Sequence, residues 1–125
     1  MTKFKSQGVF NTFKNARKGI RIVLKSEMNI RVHFVIAFLV LISAVILKIN
    51  YLEICLLMLT IAFVIVTEML NTSIEFALDS IFHNRFSRLV GMAKDIAAGS
   101  VLLATIVAIA VGVIIFSQAI IKLFI

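Results

Sequence analysis

The sequence predicts an all-α membrane protein: one N-terminal amphipathic interfacial helix and three transmembrane helices, forming a single membrane-embedded domain over residues 1–125. Composition is the first observation behind this. Of the residues, 62% are hydrophobic and none is proline, and mean hydropathy is +1.11, whereas soluble domains run at roughly 45–50% apolar. The second is the presence of three apolar stretches, each long enough to cross a bilayer of about 30 Å. The third is a basic, helically periodic segment ahead of them. A formal charge of +7 beside apolar spans fits membrane orientation and anionic lipid rather than nucleic acid. Cys55 is the single cysteine, so no intramolecular disulfide forms, and its apolar setting predicts an inert packing thiol.

Residues 9–27, VFNTFKNARKGIRIVLKSE, carry the amphipathic helix. At about 100° per residue, Val9, Phe13, Ala16, Ile20, Val23 and Leu24 share one arc, and Lys14, Arg17, Lys18, Arg21 and Lys25 share its neighbour. Phe10 and Ile22 fall outside the apolar arc. Glu27 lies at the angle of Val9, on the apolar side, where a solvated charge does not belong. Residues 30–49 form the first span, with Arg31 and Lys48 at its ends, where long side chains reach the interface. The second span covers 52–80. The third covers 94–121 and has no charge from Ile96 to Ile121. A basic amphipathic segment ahead of the first apolar stretch is not the layout of a cleavable signal peptide.

Eight of the thirteen basic residues stand at or before Arg31, and Arg85, Arg88 and Lys94 lie between the second and third spans. The positive-inside rule therefore predicts a multi-pass plasma-membrane protein with a cytoplasmic N-terminus and a C-terminus outside.

The second span holds the chemistry. ICLLMLTIAFVIVT, residues 54–67, has no charge, yet EMLNTSIEFALD follows at once. Glu68, Asn71, Glu75 and Asp79 lie at about 0°, −60°, −20° and +20° on a helix, a single stripe about 16 Å long. A carboxylate at mid-span costs about 2.5–3.5 kcal/mol, while each Leu, Ile, Val or Phe returns about 0.3–0.6. The nine such residues from Ile54 to Val66 offset one or two buried acids, not three. The stripe needs partners. Neutral helix–helix hydrogen bonding, a headgroup location, or pairing with the basic residues of the first helix would each serve. So would a hard divalent cation such as Mg²⁺, which takes oxygen ligands and shares them with phosphate.

Lys94 and Asp95 sit where the third span begins. Lys94 offers a positive charge at the interface and Asp95 suits the positive end of the helix dipole; a snorkelling anchor with an N-terminal acid reads equally well. Ala93, Ala97, Ser100, Ala104, Ala108 and Gly112 give this span a small-residue face for close packing. His33, near the start of the first span, reads as an interfacial hydrogen-bonding residue, with no second His at ligand spacing. Ser100 has no triad pattern around it. No G-x-x-x-x-G-K-[ST] and no protein-kinase motif set occurs.

EMLNTSIEFALD followed by AKDIAAGSV, residues 93–101, resembles the small prokaryotic integral-membrane lipid kinases, the diacylglycerol kinase and undecaprenol kinase family. The pattern E-x-x-N-T-x-I-E-x-x-x-D and then A-K-D carries the resemblance, which FKNARKGI, SEMNIRVH and the three-span layout extend over nearly the whole chain. It implies a homotrimer, with sites between subunits, that phosphorylates a lipid alcohol with ATP. It implies Glu68 as general base on the lipid hydroxyl, Glu27 and Glu75 as Mg²⁺ ligands, and Lys94, Asp95 and Asp79 on the nucleotide side, with Asn71 in support. The flanks KDIAAGSV and EMNIRVH are similar to the Gram-positive type associated with undecaprenol, leaving diacylglycerol as the alternative substrate. In a reading of another class, an acidic stripe lines a cation or proton path in a non-enzymatic oligomer. Such a path should cross the bilayer, and residues 54–67 supply no acid for it.

Overall fold

A computed structural model describes residues 8–83, 85 and 87–125; positions 1–7, 84 and 86 of the expected domain lie outside the described residues. Four helices follow one another: α1 (Val9–Ser26), α2 (Met28–Ile46), α3 (Tyr51–Phe82) and α4 (Arg88–Phe124). Three of them, α2, α3 and α4, are long and apolar enough to cross a membrane.

α1 stops one residue before the sequence periodicity does. Glu27 has extended backbone (φ −118°, ψ 112°), although its N–H still donates to the Val23 carbonyl at 2.9 Å. The side chain that looked misplaced on a helix face is therefore the hinge between α1 and α2. Only Val23 of α1 is buried; Phe10 and Phe13 are exposed. α1 packs on α2, α2 on α3, and α3 most extensively on α4.

The α2–α3 turn is held by local chemistry. Ile49 N–H donates to Ala44 O at 3.0 Å and Lys48 N–H to Val45 O at 3.1 Å, with Lys48 left-handed at φ 55°. These are the paired bonds of a Schellman cap, and its usual hydrophobic contact is present, since Ala44 and Ile49 are buried in one cluster. Asn50 then caps α3, its Oδ1 accepting from Leu52 N at 2.7 Å and Glu53 N at 3.4 Å. The α3–α4 turn begins with left-handed His83. α4 begins at Arg88 rather than near Lys94. Hydropathy registers only the lipid-crossing part, while nothing in residues 88–93 stops the helix extending past it.

Burial recurs every seven residues: Ile30, Ala37 and Ala44 on α2, Leu57 and Val64 on α3, Ala97 and Ala104 on α4. Seven is the period of left-handed helix packing, and alanine on two of the three helices lets the backbones approach. The remaining large apolar side chains face outward: 17%, 22% and 11% of the spanning windows of α2, α3 and α4 are buried within the chain. These faces suit lipid rather than water.

Candidate active site

The bundle has two unlike ends. Ala44, Ile49, Leu57 and Ile115 form an apolar cluster near the α2–α3 turn. The buried polar residues, Thr67, Glu68 and Thr72, all lie further along α3. Thr67 Oγ1 bonds back to Val64 O at 2.8 Å and so needs nothing more. Glu68 is 8% exposed, and a carboxylate has no donor of that kind to give.

Its partner is on α2. His33 Nδ1 stands 3.3 Å from Glu68 Oε2, and both atoms are buried without any well-aligned hydrogen bond. One turn on, Asn71 Nδ2 donates to Glu75 Oε1 at 3.4 Å, which leaves the buried Asn71 Oδ1 unpaired. Further still, Lys94 Nζ on α4 binds Asp79 Oδ1 at 2.6 Å, both side chains being partly exposed. The stripe of Glu68, Asn71, Glu75 and Asp79 thus meets partners from its own helix, α2 and α4. In none of these contacts is a basic residue of α1 the partner.

Two spaces adjoin Glu68 and His33. A polar pocket of about 210 Å³ is lined by Glu27, Asn29, Ile30, Glu68, Asn71, Thr72, Ala98 and Val101. An apolar cavity of about 460 Å³ between α2, α3 and α4 has His33 in its wall with Ala37, Leu57, Val64, Thr105 and Phe116. Glu27, which the sequence puts 41 positions from Glu68, comes to the same pocket because the α1–α2 hinge turns it there. Glu75 is half-buried beside that pocket's Asn71 but does not line it, and Asp95 is exposed.

Among the described residues no three of His, Cys, Asp and Glu form a metal cage. Mg²⁺ does not require one, because it is usually held by one or two carboxylates plus water and substrate phosphates. The Glu27 carboxylate and the unpaired Asn71 Oδ1 at the polar pocket, with Glu75 next to Asn71, are oxygen donors of the right hardness, so these residues fit the ion.

Asn29 and Thr72 line the polar pocket without having been singled out in the sequence, and His33, expected only as an interfacial hydrogen-bonding residue, stands beside Glu68. His33 falls three residues after Ile30 and four before Ala37, both buried, so it shares the face of α2 that packs inward, a face that the largely apolar sequence of α2 does not mark. Cys55 is exposed and free, a lipid-side thiol rather than a packed one.

Three apolar spans, with a buried carboxylate beside a polar pocket and an apolar cavity between the helices, are those of an integral membrane protein. The family model for prokaryotic diacylglycerol kinase matches residues 14–116. Among curated relatives, a diacylglycerol kinase of Synechocystis is 34% identical over 101 residues, which is 81% of this chain and 58% of that protein. An undecaprenol kinase of Bacillus subtilis is 32% identical over 107 residues, 86% of each chain. The chain thus spans less than two thirds of the cyanobacterial relative. It belongs to the prokaryotic diacylglycerol kinase family, whose two named relatives are both lipid kinases.

Proposed function

We propose that this protein transfers the γ-phosphoryl group of ATP to the hydroxyl of a membrane lipid alcohol, with undecaprenol as its substrate. The observation that carries the reading is the position of Glu68, which lines the polar pocket while its partner His33 walls the apolar cavity. A lipid alcohol has that same division, an apolar chain ending in one polar atom. Glu68 takes the hydroxyl proton as the lipid oxygen forms its bond to the γ-phosphorus, and the bond from that phosphorus to the β–γ bridging oxygen breaks to release ADP. Lys94, paired with Asp79, offsets charge on the phosphates, and Asp95 and Asp79 complete the nucleotide side. Asn71 orients Glu75 through its amide. Glu27 and Glu75 would hold Mg²⁺, which when bound neutralises charge on the phosphates.

The basic residues of α1 and of the α3–α4 turn put the acidic end of the bundle at the cytoplasmic face, where ATP is. α1 then lies along that interface with its exposed Val9 and Phe13 toward lipid. A homotrimer is the assembly the resemblance implies; the small share of each span buried within one chain leaves apolar faces for neighbouring subunits as well as for lipid.

Undecaprenol is preferred for the flanking motifs KDIAAGSV and EMNIRVH; diacylglycerol is the second reading, on the strength of the Synechocystis relative. Purified protein in nanodiscs, given labelled ATP with and without Mg²⁺, should label undecaprenol more than diacylglycerol and neither without the metal. Label on neither lipid sinks the kinase reading. Preference for diacylglycerol reverses only the choice of substrate.

A further inference from the structure

The proposed base raises a geometric question. A carboxylate on a three-carbon side chain has two equivalent oxygens and several rotamers, and a general base works only with one oxygen held at hydrogen-bond reach of the proton it removes. Glu68 receives no bond from its own helix, from Asn71 or from Lys94: Asn71 is turned to Glu75 and Lys94 to Asp79. The group that reaches it is His33 Nδ1, 3.3 Å from Oε2. Both atoms are buried, and neither has a well-aligned hydrogen bond among the described residues. Buried polar atoms left unpaired are each costly, and at 3.3 Å each of these two is the group within reach of the other. His33 shares its face of α2 with Ile30 and Ala37, buried at 2% and 8% exposure.

We propose that His33 is the positioning residue of Glu68. In the neutral tautomer with the proton on Nδ1, the N–H donates to Oε2, fixes the plane of the carboxylate, and leaves Oε1 as the oxygen that meets the lipid hydroxyl. His33 does not touch the reacting atoms. Its place in the wall of the apolar cavity also sets it against the lipid chain as the hydroxyl is delivered, so the base is ordered at the boundary where the substrate changes from apolar to polar. This inference rests on the reading of Glu68 as general base.

The test compares His33→Asn, His33→Gln and His33→Leu, each alone and the last also with Glu68→Gln. Asn carries its amide nitrogen on Cγ, as His carries Nδ1, whereas Gln places it one carbon further out. Loss of a group that orients a site residue typically costs about 10–100-fold. His33→Leu should therefore lower kcat about 10–100-fold with KM for ATP unchanged, His33→Asn should recover most of that, and His33→Gln should not. In the Glu68→Gln background His33→Leu should cost nothing further, because its effect passes through the carboxylate. Equal activity of the Asn and Gln variants overturns the proposal, as does an unchanged kcat in His33→Leu or an equal loss in the double variant. Should the Leu variant fail to fold, the Asn and Gln contrast decides alone. Glu68→Gln by itself separates the two levels: if it keeps turnover the base reading fails, and if it is inactive while all His33 variants are active only the positioning role fails.

Discussion

The two ends of the bundle solve opposite problems with the same helices. Near the α2–α3 turn, the matched end, the chain supplies its own caps and core. Ala44, Ile49, Leu57 and Ile115 close an apolar cluster, a Schellman cap satisfies the last carbonyls of α2, and Asn50 satisfies the first amides of α3. At the other end, Glu68, His33 and Asn71 keep buried polar atoms without well-aligned partners, and a polar pocket opens beside Glu68 and Asn71. Unsatisfied buried polar groups are rare and costly, so the second end is the one with buried polar atoms left to offer a bound group.

The largest separation of the two ends should come from Glu68→Gln. The amide keeps the shape of the side chain and loses its capacity as a base, so turnover should fall about 10²–10⁴-fold while the thermal midpoint in detergent holds or rises. Glu75→Gln makes the internal comparison. Loss of a metal-holding carboxylate should raise the Mg²⁺ concentration needed for half-maximal rate, and added Mg²⁺ should recover part of the activity, which it should not do for Glu68→Gln. A Glu68→Gln variant restored by Mg²⁺ would make Glu68 a metal ligand.

Leu57→Ala should do the reverse. Leu57 is 2% exposed at the centre of the matched end, and truncating a buried Leu typically costs about 2–5 kcal/mol. The expected variant unfolds at lower temperature yet shows near-normal kcat below that temperature. A loss of kcat without a loss of stability would mean that Leu57, which also lines the apolar cavity, serves the substrate more than the fold.

The difference between the ends also explains what was legible in the sequence. The three spans and the stripe from Glu68 to Asp79 follow from local properties, hydropathy and a 3.6-residue period, which any stretch carries in itself. Contacts between elements do not. The pairing of His33 with Glu68 joins residues 35 apart in the sequence, and a single His has no local pattern to mark it. Glu27 was visible as an anomaly, but periodicity wrote it into a helix because a hinge made without Gly or Pro leaves no punctuation. Lys94 and Asp79 were both expected on the nucleotide side; that they would bind each other depends on how far α4 extends toward the turn, and its start at Arg88 lies beyond what hydropathy registers.

The smallest effect tests the matched end at its one unfavourable backbone angle. Lys48 holds φ 55°, a left-handed conformation that costs an L-residue about 1–2 kcal/mol and glycine almost nothing. Lys48→Gly should therefore raise the thermal midpoint by a few degrees, offset in part by the greater entropy glycine loses on folding. Lys48→Val should lower it, because a β-branched residue is least tolerant of positive φ. Activity should not change in either, since about 25 Å of α3, at 1.5 Å per residue from Tyr51, separates the cap from Glu68. Lys48 also carries one of the few charges near this turn, and Lys48→Asn separates the two roles: Asn lacks the charge but tolerates the left-handed region. If Gly and Asn both stabilise, the backbone angle governs the turn. If both destabilise, the ammonium anchoring the turn at the membrane surface outweighs the angle, and the matched end depends on lipid as well as on its own caps.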